Sequence, residues 1–75
     1  MAYTKLGDYL HKRSINKSEV ARKTGLNKTR VAELDTLEKA KPRADEIYLI
    51  ALAIGVKPGE LLEELYSDLQ LKNLD

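Results

Sequence analysis

Residues 18–34 read SEVARKTGLNKTRVAEL and contain two short amphipathic segments separated by Gly25. Asn16 stands just before the first segment, where its side chain can accept hydrogen bonds from the free N–H groups of a new helix, and Glu19 can reach back as in a capping box. Gly25 stands where a helix would end in a left-handed residue, and Asn27 can cap the next helix. The stretch therefore predicts two helices joined by a tight turn.

The rest of the chain also has apolar residues at helical spacing, and no segment alternates apolar and polar residues as a strand would. Three further apolar stripes lie outside the opening stretch: Leu6, Tyr9 and Leu10; Ile47, Ile50, Ala51 and Ile54; Leu61, Leu62, Leu65 and Leu69. Pro42 precedes one helix, Gly55 ends it and Pro58 suits the first turn of the next. We expect an all-α, compact five-helix fold whose fifth helix continues into a helical extension over residues 66–75.

Length and composition exclude several classes of protein. Seventy-five residues correspond to one domain, residues 1–75, and the absence of cysteine excludes disulfides and thiolate metal sites. The one histidine, His11, lacks the partners that a metal ion needs, so no metal or cofactor is expected. The chain has no signal peptide and no apolar run long enough for a membrane span, which predicts a cytoplasmic protein without a membrane partner.

The net charge of +1 conceals an asymmetry along the chain. Residues 1–43 contain eleven Lys and Arg against five Asp and Glu, whereas residues 44–75 contain two against seven. A basic half is typical of a protein that binds the phosphate backbone of nucleic acid. Solvated surface charges that are unevenly shared between the halves are the alternative.

The second and third predicted helices must cross closely, because their connection is so short. This requires a small residue on the second helix, and Ala21 provides it. Five apolar residues fall at inward-facing positions: Val20, Ala21, Leu26, Val31 and Leu34. Three polar residues, Lys28, Thr29 and Glu33, then remain on the outward face of the third helix, which begins at its N-terminus.

Two segments, INKSEVARKTGLNKTRVAELD (15–35) and KPRADEIYLIALAIGVKPGELL (41–62), resemble the helix-turn-helix domains of the lambda-repressor/Cro type, also called the XRE family. The resemblance covers about residues 6–65. In that family the second helix of the unit enters the major groove of double-stranded DNA, and the first crosses the backbone. The resemblance thus implies base contacts from the third helix, at Lys28, Thr29, Glu33, Asn27 and Arg30.

Cations around this helix could neutralise the phosphates that flank the groove. They are Lys17, Lys39, Lys41 and Arg43. Lys17 stands where the family usually has glutamine, so it keeps an attraction to phosphate and loses the directed bonds of an amide. The glycine that commonly ends the third helix in the family is absent, which leaves the length of this helix open. A flexible polar loop is the alternative for the lysines that follow it.

The fourth predicted helix is unusually apolar, and Leu49 and Leu52 stand where the family often has polar residues. Domains of the family frequently pair through the region of the fourth and fifth helices. The resemblance therefore implies a homodimer with an interface at Leu49, Leu52, Leu62, Leu65, Tyr66 and Leu69. The alternative is that the C-terminal leucines cover the fourth helix within one chain.

We interpret the sequence as a sequence-specific DNA-binding protein, a small dimeric regulator that acts as a repressor by occupying an operator. The alternative is a protein-interaction module that binds a protein partner through the fourth and fifth helices of the same scaffold. An enzyme is not expected, because no nucleophile converges with His11 and a carboxylate and no glycine-rich phosphate loop is present. No catalytic residue and no small-molecule substrate are therefore predicted.

Overall fold

The computed structural model describes residues 3–72, which form five helices. They are α1 (Lys5–Lys12), α2 (Lys17–Thr24), α3 (Lys28–Thr36), α4 (Ala44–Ile54) and α5 (Pro58–Tyr66). Within residues 3–72 there is no strand, and the predicted all-α, five-helix fold is confirmed. No helix in this part of the chain has both the length and the apolar character that crossing a membrane would require.

Helix α2 begins as its sequence predicts, with one difference at the cap. The Asn16 side-chain oxygen accepts from the backbone N–H groups of Ser18 and Glu19, at 2.8 and 3.2 Å. The expected capping box is wrong, because the Glu19 carboxylate binds Arg22 one turn later instead of reaching back to Asn16. Since Asn16 alone satisfies two of the free donors, the helix start does not depend on Glu19.

The turn between α2 and α3 is formed by Gly25 in the left-handed conformation, with φ at 81°. Its N–H donates to the carbonyl oxygen of Ala21 at 3.0 Å and closes the end of α2. Two residues later, the Asn27 side-chain oxygen accepts from the N–H of Arg30 at 2.8 Å and caps α3. The short connection and its residues are those that the sequence predicts.

All five helices contribute to one core, made by Leu6, Leu10, Val20, Ala21, Val31, Leu34, Ile47, Ile50, Ala51, Leu61 and Leu65. Four of the five predicted inward-facing residues of α2 and α3 are buried there, and Leu26 is partly buried against them. Leu65 is only 4% exposed, so the prediction that it contributes to a dimer interface is wrong. One turn after Leu61, it packs into the core of its own chain.

The predicted helical extension over residues 66–75 is also wrong for its described part. Helix α5 ends at Tyr66, and residues 67–72 form a turn and an irregular segment; residues 73–75 lie outside the described residues. Leu69 is 69% exposed, so burial does not stabilise another turn of helix there. Asp68 instead pairs with Lys5 of α1 across 2.6 Å.

The N-terminus of α1 is anchored to the end of α3. The backbone N–H of Thr4 donates to the carbonyl oxygen of Asp35 at 3.0 Å. Its hydroxyl donates to the carbonyl oxygen of Leu34 at 2.5 Å. The same hydroxyl accepts from the N–H of Gly7 at 2.9 Å and so caps α1. These bonds fix the C-terminal end of α3 against α1, whereas the first turn of α3, at its other end, is exposed.

Candidate nucleic-acid interface

The N-terminal turn of α3 lies on the surface, with Asn27, Lys28 and Thr29 exposed. On the other side of the same helix, Val31 and Leu34 are 3% and 2% exposed. The helix therefore buries its apolar side in the core and directs its polar first turn to solvent. This arrangement is the one that the apolar spacing of the sequence predicts.

Asn27 uses part of its hydrogen-bonding capacity within the chain. An asparagine that pairs bidentately with adenine must accept with its oxygen and donate with its nitrogen. The Asn27 oxygen already accepts from the N–H of Arg30 as the cap of α3. The two donors of its side-chain amide and the second lone pair of the oxygen are the groups that this residue can still offer to a ligand.

Arg30 does not fit the predicted base contact, because its guanidinium group is directed toward α4. Its Nε and Nη2 donate to the two carboxylate oxygens of Glu46 at 2.8 and 2.9 Å. Glu46 is 2% exposed, and the bonds from Arg30 hold the pKa of this carboxyl below its ordinary value. Because it neutralises a buried carboxylate, Arg30 would leave that charge unpaired if it turned to a base.

Glu33 stays near the outward face. One of its carboxylate oxygens lies 3.8 Å from Nη1 of Arg30, and its side chain is 45% exposed. This separation is long for a charge-assisted hydrogen bond, so the pair is a weak one. The Glu33 carboxylate can still accept a hydrogen bond from outside the chain.

Lys17 points at a buried carboxylate that the sequence analysis missed. Its Nζ lies 3.1 Å from Oδ2 of Asp35, whose side chain is fully buried. Nε2 of His11 lies 3.2 Å from the other oxygen, Oδ1, but has hydrogen-bonding geometry with Oδ2, at 3.4 Å. The Lys17 side chain is 42% exposed, so it reaches solvent while its charge is partly balanced by Asp35.

The loop between α3 and α4 carries the other predicted phosphate contacts. Lys39, Lys41 and Arg43 are all exposed. Arg43 pairs with Asp45 at 3.2 Å, whereas Lys28, Lys39 and Lys41 form no ion pair with any residue from 3 to 72. These three lysines are the cations near α3 whose charge the described chain leaves unbalanced.

Ala32 is a surface residue of α3 that the sequence analysis did not single out. It is exposed one turn after Lys28 and lines a shallow groove between α2 and α3 together with Lys17 and Ser18. Helical spacing counted from Lys28 would have placed it on the outward face. A small apolar side chain alone does not distinguish a surface position from a core position, and here the buried Val31 beside it packs in the core.

A second surface feature is an apolar area that we name the α4–α5 patch. It consists of Tyr48, Leu49, Leu52 and Leu62, which are 55%, 37%, 57% and 48% exposed. Tyr48 and Leu62 line one depression between the two helices. Three of the predicted interface residues belong to this patch, whereas Tyr66 is half-buried against the core and Leu69 follows the end of α5.

Comparison with known proteins agrees with this geometry. A family model for Cro/C1-type helix-turn-helix DNA-binding domains matches residues 5–64, from the start of α1 to within α5. Searches of curated proteins and of solved structures found no match. The family match covers well over half of the 75 residues and confirms the resemblance inferred from the sequence. The chain belongs to the family of Cro/C1-type helix-turn-helix DNA-binding domains.

Proposed function

We propose that the chain binds double-stranded DNA sequence-specifically by inserting the N-terminal turn of α3 into the major groove. The observation that carries the proposal is the exposure of Lys28 and Thr29 on a helix whose other side is fixed in the core. A rigid helix with polar groups at its exposed N-terminus suits the major groove, which is wide enough to admit it. Membership of a DNA-binding family supports the same conclusion.

The exposed side chains of α3 differ in what they can recognise. Lys28 can donate to O6 and N7 of guanine, and Glu33 can accept from N4 of cytosine. Thr29 and Ala32 offer methyl groups to the methyl group of thymine. A good base contact discriminates against a wrong base by ~1–3 kcal/mol, so a few such contacts are enough for a short half-site.

We also propose that the protein acts as a homodimer that represses transcription by occupying an operator. The α4–α5 patch supports self-association, because a small domain rarely leaves clustered leucines exposed without a partner. Lys39, Lys41 and Arg43 in each copy supply phosphate contacts, and two copies double them. In such a dimer the two α3 helices would read half-sites about 34–36 Å apart.

Binding to random-sequence duplex DNA tests the proposal. The affinity is expected to fall steeply between about 50 and 200 mM salt, because bound lysines release counterions from the phosphates. The double variant Lys39→Gln with Lys41→Gln should make the negative slope of log K against log salt concentration shallower by about 1.8 per copy. The absence of saturable binding at the low-salt end would contradict the proposed function.

A protein-interaction module is the second candidate function, and the exposed α4–α5 patch favours it. Ion pairs with Asp35 and Asp45 also reduce the charge that Lys17 and Arg43 offer to phosphate. In this case the patch would bind a different protein, and the chain would show no saturable binding to duplex DNA. The salt titration therefore separates the two candidates.

A further inference from the structure

The first turns of α3 and α4 are joined by a two-bonded ion pair. Arg30 donates from Nε and Nη2 to Oε2 and Oε1 of Glu46, at 2.8 and 2.9 Å. The Glu46 side chain is 3% exposed, and that of Arg30 is 29% exposed. A forked pair of this kind fixes direction as well as distance, because both bonds must lie in one plane. The two helix starts are therefore held in one relative orientation.

The same ion pair also holds the backbone of the loop that connects the two helices. Nη2 of Arg30 donates to the carbonyl oxygen of Lys41 at 3.0 Å. The backbone N–H of Arg43 donates to Oε1 of Glu46 at 2.8 Å. Pro42 between them has no N–H of its own to bond. The loop is thus tied to the pair on both sides of this proline.

This loop carries cations, and the pair sets their position relative to the exposed end of α3. Lys39, Lys41 and Arg43 are exposed in or beside the loop, and Lys28 and Thr29 are exposed on the first turn of α3. A loop that is already ordered needs to lose little conformational freedom when it contacts phosphate. The spacing between the first turn of α3 and the cations of the loop is therefore fixed in the chain without DNA.

We infer that Arg30 and Glu46 are positioning residues for DNA binding, which hold the cationic loop in register with the end of α3. Neither side chain needs to touch DNA for this role. The inference rests on the proposed function, because it concerns phosphate contacts that only a DNA-bound chain makes. It assigns to Arg30 a role in binding other than the base contact that the sequence predicts.

Glu46→Gln tests the inference, because a positioning role and charge alone predict opposite effects of this substitution on DNA affinity. This substitution removes one negative charge near the proposed interface, so charge alone would tighten binding to phosphate. In the native pair, three donors converge on two carboxylate oxygens. An amide has one acceptor oxygen and an NH2 group that only donates. Glutamine can keep the N–H of Arg43 and Nη2 of Arg30 at that oxygen, but its NH2 group then faces Nε of Arg30 and the fork is broken. A loosened loop would weaken binding.

The experiment compares wild type, Glu46→Gln and the matched control Glu19→Gln, whose carboxylate pairs with Arg22 away from the loop. Fluorescence anisotropy with a random-sequence duplex measures affinity between about 50 and 200 mM salt, where the phosphate term dominates. Far-ultraviolet circular dichroism at the same temperature checks folding. Glu46→Gln is expected to bind roughly three- to tenfold more weakly, with a negative slope of log K against log salt concentration that is shallower by about 0.9 per lost contact. Glu19→Gln is expected to bind at least as tightly as wild type.

Arg30→Lys is the second variant, and it decides the matter if Glu46→Gln does not fold. Lysine keeps the positive charge, but it cannot bond both oxygens of Glu46 and the carbonyl of Lys41 in a planar fork. It should therefore also weaken binding and make the dependence of log K on log salt concentration shallower. A folded variant that binds with wild-type affinity and slope overturns the inference alone. A wild-type chain that binds no duplex overturns the proposed function as well.

Discussion

The Cα atom of Gly7 in α1 lies against the end of α3, so that a Cβ atom built on it would be 2.0 Å from the carbonyl oxygen of Asp35. The same Cβ would lie 2.8 Å from Oδ1 of that residue. Both distances are too short for a non-bonded contact between carbon and oxygen. The first of the two oxygens belongs to the backbone, so it cannot move away by a change of side-chain rotamer. The two helices can approach this closely only because residue 7 has no side chain.

Gly7→Ala is therefore expected to destabilise the protein strongly. Relieving the overlap requires α1 to move from α3, which should cost about 3 kcal/mol of unfolding free energy, at the upper end of the usual range for overpacked sites. Gly59→Ala is the matched control, because a Cβ at Gly59 in the first turn of α5 would meet nothing within 4 Å. That variant should gain ~0.4–1 kcal/mol by restricting the unfolded chain. Urea unfolding checks both, and equal effects of the two substitutions would refute the close packing of α1 on α3.

Lys17→Ala tests the buried carboxylate of Asp35. Removing the ammonium group leaves His11 as the remaining partner of this carboxylate among the described side chains. We expect a loss of about 1–2 kcal/mol in unfolding free energy, since the Lys17 site is open enough for water to replace part of the bond. Lys23→Ala, an exposed lysine in the last turn of α2, should change stability little. Similar urea midpoints for the two variants would show that the Lys17 bond is not stabilising.

The pKa of Glu46 predicts how stability depends on pH. Its bonds to Arg30 hold this pKa below that of the unfolded chain, which is about 4.3 for a free glutamate. The resulting stabilisation is fully present above that value and is lost as the pH falls through the lowered pKa. The difference in unfolding free energy between wild type and Glu46→Gln should thus be largest above about pH 5 and shrink toward pH 3.

Denaturant unfolding across this pH range measures the effect, and Glu60→Gln serves as its control. The Glu60 carboxylate is exposed and forms no ion pair within residues 3–72, so Glu60→Gln removes a carboxylate without breaking such a pair. A difference between wild type and Glu46→Gln that stays constant down to pH 3 would show that the Arg30 bond does not favour the charged carboxylate.

Leu52→Glu tests self-association through the α4–α5 patch. Leu52 is 57% exposed, so the substitution should leave the fold of one chain intact while it places a charge in the proposed interface. We expect the dimer dissociation constant to rise by at least about tenfold, because desolvating an unpaired carboxylate is costly. Leu37→Glu, at an exposed leucine outside the patch, should leave it unchanged. Sedimentation equilibrium gives both constants; a monomeric wild type would contradict the proposed dimer.

Local signals in the sequence were sufficient for the starts of α2 and α3 and for the ends of α2 and α4. Asn16, Gly25, Asn27 and Gly55 each act through the backbone next to them, and each occupies the cap that its residue type predicts. The third helix shows the limit of such signals, because the chain lacks a glycine there. Its end at Thr36 is set by the anchoring of Asp35 to Thr4, which is distant in sequence.

The site was less predictable, because its polar residues depend on partners far along the chain. Arg30 has the spacing of a base-facing residue, and only the position of α4 shows that Glu46 takes up its guanidinium group. Asp35 looks like an ordinary surface residue until Lys17 and His11 are brought to it. Leu65 fits either a core or an interface, since both favour leucine at helical spacing.

Selection from random duplexes tests most directly whether the first turn of α3 reads base sequence. Wild type is expected to enrich a palindromic sequence, and Lys28→Ala should lose discrimination at one symmetric pair of positions, by about 1–3 kcal/mol per half-site. Lys23→Ala, outside α3, should enrich the wild-type sequence. If wild type enriches no sequence, or if Lys28→Ala enriches the same sequence with equal stringency, α3 does not read the groove through Lys28.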